Sequence, residues 1–146
     1  MFQSVKIPSL DWGFFMLECS HYMKFKTTTI TGHGRGKELG YPTVNMLIPE
    51  NVPILLIPGV YAAHAMIKGQ KYYGALFYGP TPTFDETDMS LEIYLFDTLN
   101  FYSGPGEEIE VETVKYIREV KKFELPEQLI KQMDSDVEII RKIFKI

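Results

Sequence analysis

Residues 31–45, TGHGRGKELGYPTVN, concentrate most of the reactive chemistry that this sequence offers. Glycines alternate there with polar residues, and backbone amides next to glycine can turn towards an anion because no Cβ blocks a close approach. The basic side chains between the glycines add positive charge at the same place. The pattern therefore predicts a phosphate site, formed by Gly32, His33, Gly34, Arg35, Gly36 and Lys37.

Two hard oxygen donors, Thr43 and Asn45, follow in the same stretch. Mg²⁺ keeps several of its waters, so one or two protein ligands beside substrate phosphates are enough to hold it. Side chains two residues apart on an extended segment point the same way, so both donors can address one ion. From the residues alone, a threonine and an asparagine that cap a turn after Pro42 are the simpler interpretation.

The common glycine motifs do not account for this stretch. A Walker A loop needs serine or threonine after Gly36-Lys37, where this chain has Glu38. The dinucleotide pattern G-x-G-x-x-G fails too, because Lys37 or Leu39 stands where its last glycine belongs. A flexible surface loop therefore stays open as an alternative.

Short segments with β-branched residues or alternating hydrophobicity predict the strands that would carry these groups. Residues 68–70 predict a hairpin turn between the third and fourth strands. The three prolines within residues 49–58 indicate a loop, and residues 79–88 and 100–106 also have turn composition. The six predicted strands span residues 24–31, 44–48, 59–67, 71–78, 89–97 and 107–116.

The end of the chain changes to a helical period. Apolar residues at spacings of three and four predict one stripe along a helix over residues 126–145, interpreted as core contact rather than a cofactor site. Regularly spaced short strands followed by one helix predict a mainly β fold: a six-stranded antiparallel Greek-key barrel with the C-terminal α-helix packed outside. The stripe consists of Leu129, Met133, Val137, Ile140 and Phe144.

Glu92 is the acid with the most suggestive surroundings. In residues 89–97 it shares one strand face with Tyr94 and Phe96, while leucine and isoleucine occupy the other face. A carboxylate among aromatic residues is either an exposed strand charge or a desolvated base. The exposed charge is the commoner case, and the residues alone favour it.

Composition narrows the class of protein. A chain of 146 residues with 45% hydrophobic residues predicts one domain with a real core. The net charge of −4 gives no general argument for nucleic-acid binding. The single cysteine, Cys19, favours a reducing compartment, and no apolar run is long enough for a membrane span, so a soluble cytoplasmic protein is expected. Residues 1–23 form an apolar arm expected to dock on its own domain or on a partner.

Six blocks, in the same order, resemble the riboflavin kinase (flavokinase) family. The resemblance covers residues 24–146 and implies a riboflavin kinase domain there, with residues 1–23 as an arm that has no counterpart in the family. The 146 residues leave no room for an adenylyltransferase domain, so FAD synthesis from FMN is not expected. The six blocks are residues 31–45, PGVYAAHA at 58–65, GPTPTF at 79–84, SLEIYLFD at 90–97, EIEVE at 108–112 and REVKKF at 118–123.

The resemblance implies an ATP:riboflavin 5′-phosphotransferase that produces FMN. It implies that Thr43 and Asn45 contact Mg²⁺ and the nucleotide phosphates, and that Glu92 accepts or orients the proton of the ribityl hydroxyl. It further implies that Arg118 binds the flavin or the nucleotide and that Phe123 lines the flavin pocket. A strand-end charge and a core aromatic stay open as the alternative interpretations of these two residues. In the family's Pro-Thr-Phe loop, this chain departs at Pro80–Thr83 by placing threonine and proline before the motif.

Two other functions stay open beside the kinase. One is a non-catalytic module that binds flavin or nucleotide, although such a module would have no need of the base. The other is an interaction domain displayed through the N-terminal arm. The partners expected for the kinase are ATP and riboflavin, with no nucleic acid and no membrane, and the expected state is a monomer.

Overall fold

A computed structural model describes residues 22–50, 56–85, 87–98 and 104–146. Its six strands and C-terminal helix agree in order with the sequence prediction, with bounds within one or two residues, and a further short helix lies in the predicted glycine loop. A short 3₁₀ turn at Pro82–Phe84 lies between the fourth and fifth strands. The elements are β1 (Lys24–Ile30), α1 (Arg35–Glu38), β2 (Val44–Met46), β3 (Gly59–Ile67), β4 (Gln70–Gly79), β5 (Ser90–Leu95), β6 (Glu108–Arg118) and α2 (Pro126–Phe144).

The strands close into a barrel in the order β1-β2-β5-β4-β3-β6, and every neighbouring pair is antiparallel. Strands β3, β4 and β5 follow one another as a meander, whereas β2 pairs with the distant β5 and β6 returns between β3 and β1. The predicted six-stranded antiparallel barrel with a C-terminal helix is confirmed. Among the strands that the structure describes, closure leaves no free sheet edge, as is usual for a small barrel.

The barrel interior is filled by alternate residues of each strand. In β5, Leu91, Ile93 and Leu95 face the interior and are nearly inaccessible, while Glu92 and Tyr94 lie on the outer face and are half-buried. This alternation follows from the period of two in an extended strand. The chemistry-bearing residues of β5 are therefore on the outside of the barrel.

Helix α2 packs across that outer face. It starts at Pro126, and the Gln128 side chain reaches back to accept hydrogen bonds from the amides of residues 124 and 125, each at 3.2 Å. In its C-terminal half, Ile140 and Phe144 pack with Val60 and Ala62 of β3 in a second apolar cluster. The contact of this half with the barrel is the core contact that the helical stripe predicted.

The N-terminal part of the same stripe departs from the prediction. Leu129 and Met133 line a cavity between the helix and the barrel instead of completing the core. A 3.6-residue period indicates that one helix face is apolar, but it does not indicate which part of the protein that face contacts. The interpretation of the whole stripe as core contact is therefore wrong for these two residues.

Several sequence predictions fall outside the described residues. These concern residues 1–21 of the N-terminal arm and parts of the predicted loops at 49–58, 79–88 and 100–106. Among the helices that the structure describes, none is long and apolar enough to cross a membrane.

Candidate active site

Strands β2 and β5 place three of the predicted site residues side by side. Asn45 pairs directly with Glu92 in the antiparallel register, so both side chains lie on the same outer face. Thr43 precedes Asn45 by two residues and shares that face. Its hydroxyl donates a hydrogen bond to Glu92 Oε2 at 2.8 Å. Residues 49 positions apart in the chain are thus in direct contact.

This arrangement suits a hard cation beside a carboxylate. A threonine hydroxyl that donates its proton to Glu92 still has oxygen lone pairs for a metal. The Asn45 side chain offers a second neutral oxygen beside it. Within the described ranges, no three His, Cys, Asp or Glu side chains cluster as a metal cage. The donor set therefore fits Mg²⁺ held by one or two protein oxygens together with substrate phosphates and water.

Gly32 contributes to the site by leaving room for Asn45. A Cβ atom at residue 32 would lie 2.1 Å from Asn45 Nδ2 and 2.3 Å from its Cγ. Gly36 has the same relation to the backbone of Tyr41, whose carbonyl oxygen would lie 2.3 Å from an added Cβ. The Tyr41 amide donates to the Gly36 carbonyl at 2.6 Å. Glycine is therefore required at residue 36 by the backbone, and at residue 32 as long as the Asn45 side chain keeps its position.

A short helix interrupts the predicted glycine loop. Gly34 adopts a left-handed φ of 74°, and α1 follows it at Arg35–Glu38. Glycine adopts this φ without the steric cost of a Cβ. The turn carries Arg35 to the cavity and leaves Lys37 exposed, away from the cavity lining.

The cavity lies between the outer face of β4 and β5, the residues around α1, the 3₁₀ turn at Pro82–Phe84, and α2. Gly32 and Lys37 are the predicted site residues that do not line it. Gly32 contacts it only through Asn45, and the roles of all of these residues stay predictions. The predicted residues that do line it are His33, Gly34, Arg35, Gly36, Thr43, Asn45, Glu92, Arg118 and Phe123.

Arg35 brings positive charge to the mouth of the cavity. Its guanidinium carbon lies 4.6 Å from the centre of the Phe84 ring, within the range of a cation–π contact. This contact joins α1 to the 3₁₀ turn. The turn is also attached to the segment before α2, because the Phe123 amide donates to Thr83 Oγ1 at 3.2 Å and Lys122 Nζ lies 3.1 Å from Asp85 Oδ1.

Arg118, predicted to contact a flavin, is held by Asp136 of α2. Its Nε lies 3.0 and 2.9 Å from the two carboxylate oxygens, and its Nη2 lies 2.8 Å from Oδ2. Gln132 Nε2 donates to the same carboxylate at 3.0 Å. The charge of Arg118 is thus matched by a buried carboxylate at the cavity wall.

Sequence reasoning missed Tyr41 and Tyr94 as wall residues. Their rings meet edge to face, with centroids 5.1 Å apart, and the Tyr41 hydroxyl donates to Asp134 of α2. Burial, and then the hydrogen bond to Asp134, raise the pKa of Tyr41 above its usual value, so the phenol stays protonated and remains a donor at neutral pH. The only signal for Tyr41 in the sequence was its position between the glycines and Thr43.

Comparison with known proteins gives one consistent family. The riboflavin kinase family model, Flavokinase, matches residues 19–144. A bifunctional riboflavin kinase/FMN adenylyltransferase from Listeria monocytogenes is 35% identical over 123 residues, covering 82% of this chain and 37% of that protein. Human riboflavin kinase is 32% identical over 119 residues, covering 77% of this chain and 75% of that protein. The chain thus spans little more than a third of the bifunctional relative.

Solved structures share the fold. A Streptococcus pneumoniae protein described as a macrolide-efflux protein superposes with a TM-score of 0.70 at 30% identity, covering 81% of this chain and 38% of that one. Riboflavin kinase from Trypanosoma brucei superposes with a TM-score of 0.61 at 17% identity, covering 86% and 81%. At that identity, the trypanosomal protein is informative about the fold alone.

Proposed function

This chain belongs to the riboflavin kinase family, and we propose that it transfers the γ-phosphate of ATP to the ribityl 5′-hydroxyl of riboflavin to give FMN. The single observation that carries the proposal is the hydrogen bond from Thr43 to Glu92, with Asn45 directly opposite Glu92 on the cavity wall. It joins a candidate base to candidate metal ligands. We assign the kinase domain to residues 24–146.

Glu92 acts as the base in this proposal. Its carboxylate accepts the proton of the ribityl hydroxyl as the hydroxyl oxygen forms its bond to the γ-phosphorus. The bond from that phosphorus to the oxygen bridging it to the β-phosphorus breaks, and ADP leaves. The hydrogen bond from Thr43 to Oε2 orients the carboxylate for this role.

The other polar residues hold the phosphates. Phosphoryl transfer depends on alignment and on stabilisation of spreading negative charge rather than on covalent chemistry by the protein. The amides around Gly34 and Gly36, together with Arg35, supply positive potential at the cavity. Thr43 and Asn45 would hold Mg²⁺, which when bound neutralises phosphate charge.

The flavin occupies the apolar part of the cavity. Phe123, Leu129 and Met133 form a wall against which a flat ring system can pack, and Arg118 borders it. A pocket with mostly apolar walls and a few placed polar groups is typical of small-molecule sites. Leu129 and Met133 thus join Arg118 and Phe123 in the proposed flavin subsite.

The proposal is restricted to the kinase step. The family model that matches the chain is that of riboflavin kinase, so we do not extend the proposal to FMN adenylylation. The partners are ATP with Mg²⁺ and riboflavin, without a nucleic acid, and the proposed location is the cytoplasm, where ATP is available. The protein acts as a monomer in this scheme.

One assay tests the proposal. The purified protein is incubated with riboflavin, ATP and Mg²⁺, and the flavins are separated by chromatography. FMN without FAD is the expected result, and omission of Mg²⁺ should abolish it. Tight binding of riboflavin or nucleotide without FMN formation would favour the non-catalytic binding module instead.

Gly32→Ala is expected to lower turnover at least about tenfold, because the new methyl group must displace the Asn45 side chain. A double-mutant cycle measured as kcat for FMN formation checks the mechanism. In an Asn45→Ala background, Gly32→Ala should cause little further loss, since the clashing side chain is gone. Equal losses in both backgrounds would mean that Gly32 acts by some route other than Asn45.

A further inference from the structure

We propose that the ion pair of Arg118 with Asp136 is a positioning device that fixes the N-terminal half of α2 (residues 126–136) over the cavity and thereby sets riboflavin affinity. The proposal rests on the proposed function for the identity of the ligand. In this proposal, the ion pair of Arg118 and Asp136 affects riboflavin binding by fixing the positions of Leu129 and Met133. The two halves of this helix are attached to the barrel in different ways.

The C-terminal half of α2 is attached by apolar packing. Ile140 is fully buried, and Ile143 and Phe144 pack with it in the second apolar cluster on β3 and β4. The Phe144 ring lies 4.6 Å from that of Tyr73. Burial of several large apolar side chains holds this half whether or not the cavity is occupied.

The N-terminal half has a cavity where the other half has a core. Leu129 and Met133 face the cavity, so their contacts with a barrel strand are replaced by space for a ligand. A side chain with no neighbouring atoms on one side lacks the dispersion contacts that would stabilise its position. Another interaction must therefore fix this half, and two acidic side chains of α2 contact residues of the cavity wall here.

Asp136 makes the larger number of these contacts. Its side chain is 5% exposed and that of Arg118 is 13% exposed, and the two meet through a bidentate contact at 2.8–3.0 Å. Arg118 lies at the end of β6, and its Nη1 donates to the Glu119 carbonyl at 3.0 Å, so the guanidinium is itself fixed. A planar fork held at three nitrogens restricts direction as well as distance.

The pair is thus suited to orientation more than to stability. A buried ion pair gains little net stability over apolar residues of similar volume, because both charges lose their hydration. Its geometry does exclude alternative positions of the helix. A small displacement of Leu129 and Met133 would change the width of the proposed flavin subsite. That width determines how closely a flat ring system can pack against the two side chains.

The same helix supplies a matched control. Arg141 in its C-terminal half binds Asp97 through two contacts of 2.8 and 3.1 Å, outside the cavity lining. The Asp97 side chain is 70% exposed. This ion pair has the same chemistry and lies on the same helix, but the part of the helix that it holds does not carry Leu129 or Met133.

The test compares Asp136→Asn and Arg118→Lys with Asp97→Asn and Arg141→Lys. Amide hydrogen exchange across α2 is measured without ligand, and riboflavin affinity is measured by quenching of flavin fluorescence. Asp136→Asn and Arg118→Lys should speed exchange of residues 129–136 at least about tenfold while residues 140–144 change little, and should weaken riboflavin binding about tenfold. Neither control should alter riboflavin affinity by more than about twofold.

A double variant, Arg118→Met with Asp136→Leu, keeps the test decisive if a single variant fails to fold, because such replacements are often tolerated. It should be folded and still bind riboflavin weakly. Unchanged exchange in residues 129–136, or riboflavin affinity equal to that of the unmodified protein, would overturn the proposal. The exchange readout uses no ligand, so a protein that makes no FMN would refute the proposed function separately.

Discussion

Replacing Glu92 with glutamine is expected to lower kcat for FMN formation by about 10²–10⁴-fold, which is the usual contribution of a positioned general base. The amide keeps the size of the side chain and an oxygen that can accept the hydrogen bond from Thr43. The variant therefore removes the proposed proton acceptor with little change to the site around it. Riboflavin affinity should stay within about threefold of the unmodified value, as expected for a group that acts in the transition state.

Glu108→Gln is the matched control for that experiment. Glu108 is also a strand glutamate on the outside of the barrel, but its side chain is 76% exposed and pairs only loosely with Lys26, at 3.7 Å. This substitution should leave kcat unchanged. The assignment of Glu92 as the base would be wrong if Glu92→Gln kept full turnover, or if its loss in kcat came with an equal loss of riboflavin binding.

Replacing Thr43 with alanine is expected to lower kcat/KM for MgATP by about 10²-fold. Two contributions are lost together: a candidate metal ligand and the hydrogen bond that orients the Glu92 carboxylate. Changes in groups that orient or coordinate around a metal commonly cost about 10–100-fold in metal affinity or activity. Riboflavin binding should change by no more than about twofold, because the proposed flavin subsite lies at other residues of the cavity.

Thr43→Ser is the control for this variant because it restores the hydroxyl and deletes only a methyl group. It should recover most of the activity, and higher Mg²⁺ should recover part of the activity of Thr43→Ala. Initial rates over a series of Mg²⁺ concentrations, with riboflavin affinity measured in parallel, separate the two subsites. Equal loss of nucleotide turnover and flavin binding in Thr43→Ala would contradict the division of the cavity into these subsites.

The strands and their two faces were predictable because the alternation of apolar and polar residues, with a period of two, is a local property of the sequence. Leu91, Ile93 and Leu95 were expected on one face, and all three are buried inside the barrel. The same alternation placed Glu92 on the other face. It could not show that this outer face is partly covered, because residues 96–125 separate β5 from the covering helix in the chain.

Residue type and order in the chain were enough to nominate Thr43, Asn45 and Glu92, and the structure places them together. They were not enough to separate Arg35 from Lys37, since only the turn at α1 decides which basic side chain reaches the cavity. Nor could they pair Arg118 with Asp136, 18 residues away in the chain, or Tyr41 with Asp134, 93 residues away. Such pairings depend on where α2 crosses the barrel.

The sequence by itself determined the glycine-rich segment around Gly32–Gly36, the order of six strands and a helix, and the donor groups of the candidate site, because residue type and period are local properties. Tertiary structure alone decided that Leu129 and Met133 line a cavity, that Gly32 makes room for Asn45, and that Thr43 orients Glu92. The physical reason is that the burial and contacts of a side chain depend on which element packs against its face of the strand or helix. That element is fixed only when the barrel closes and α2 packs against it.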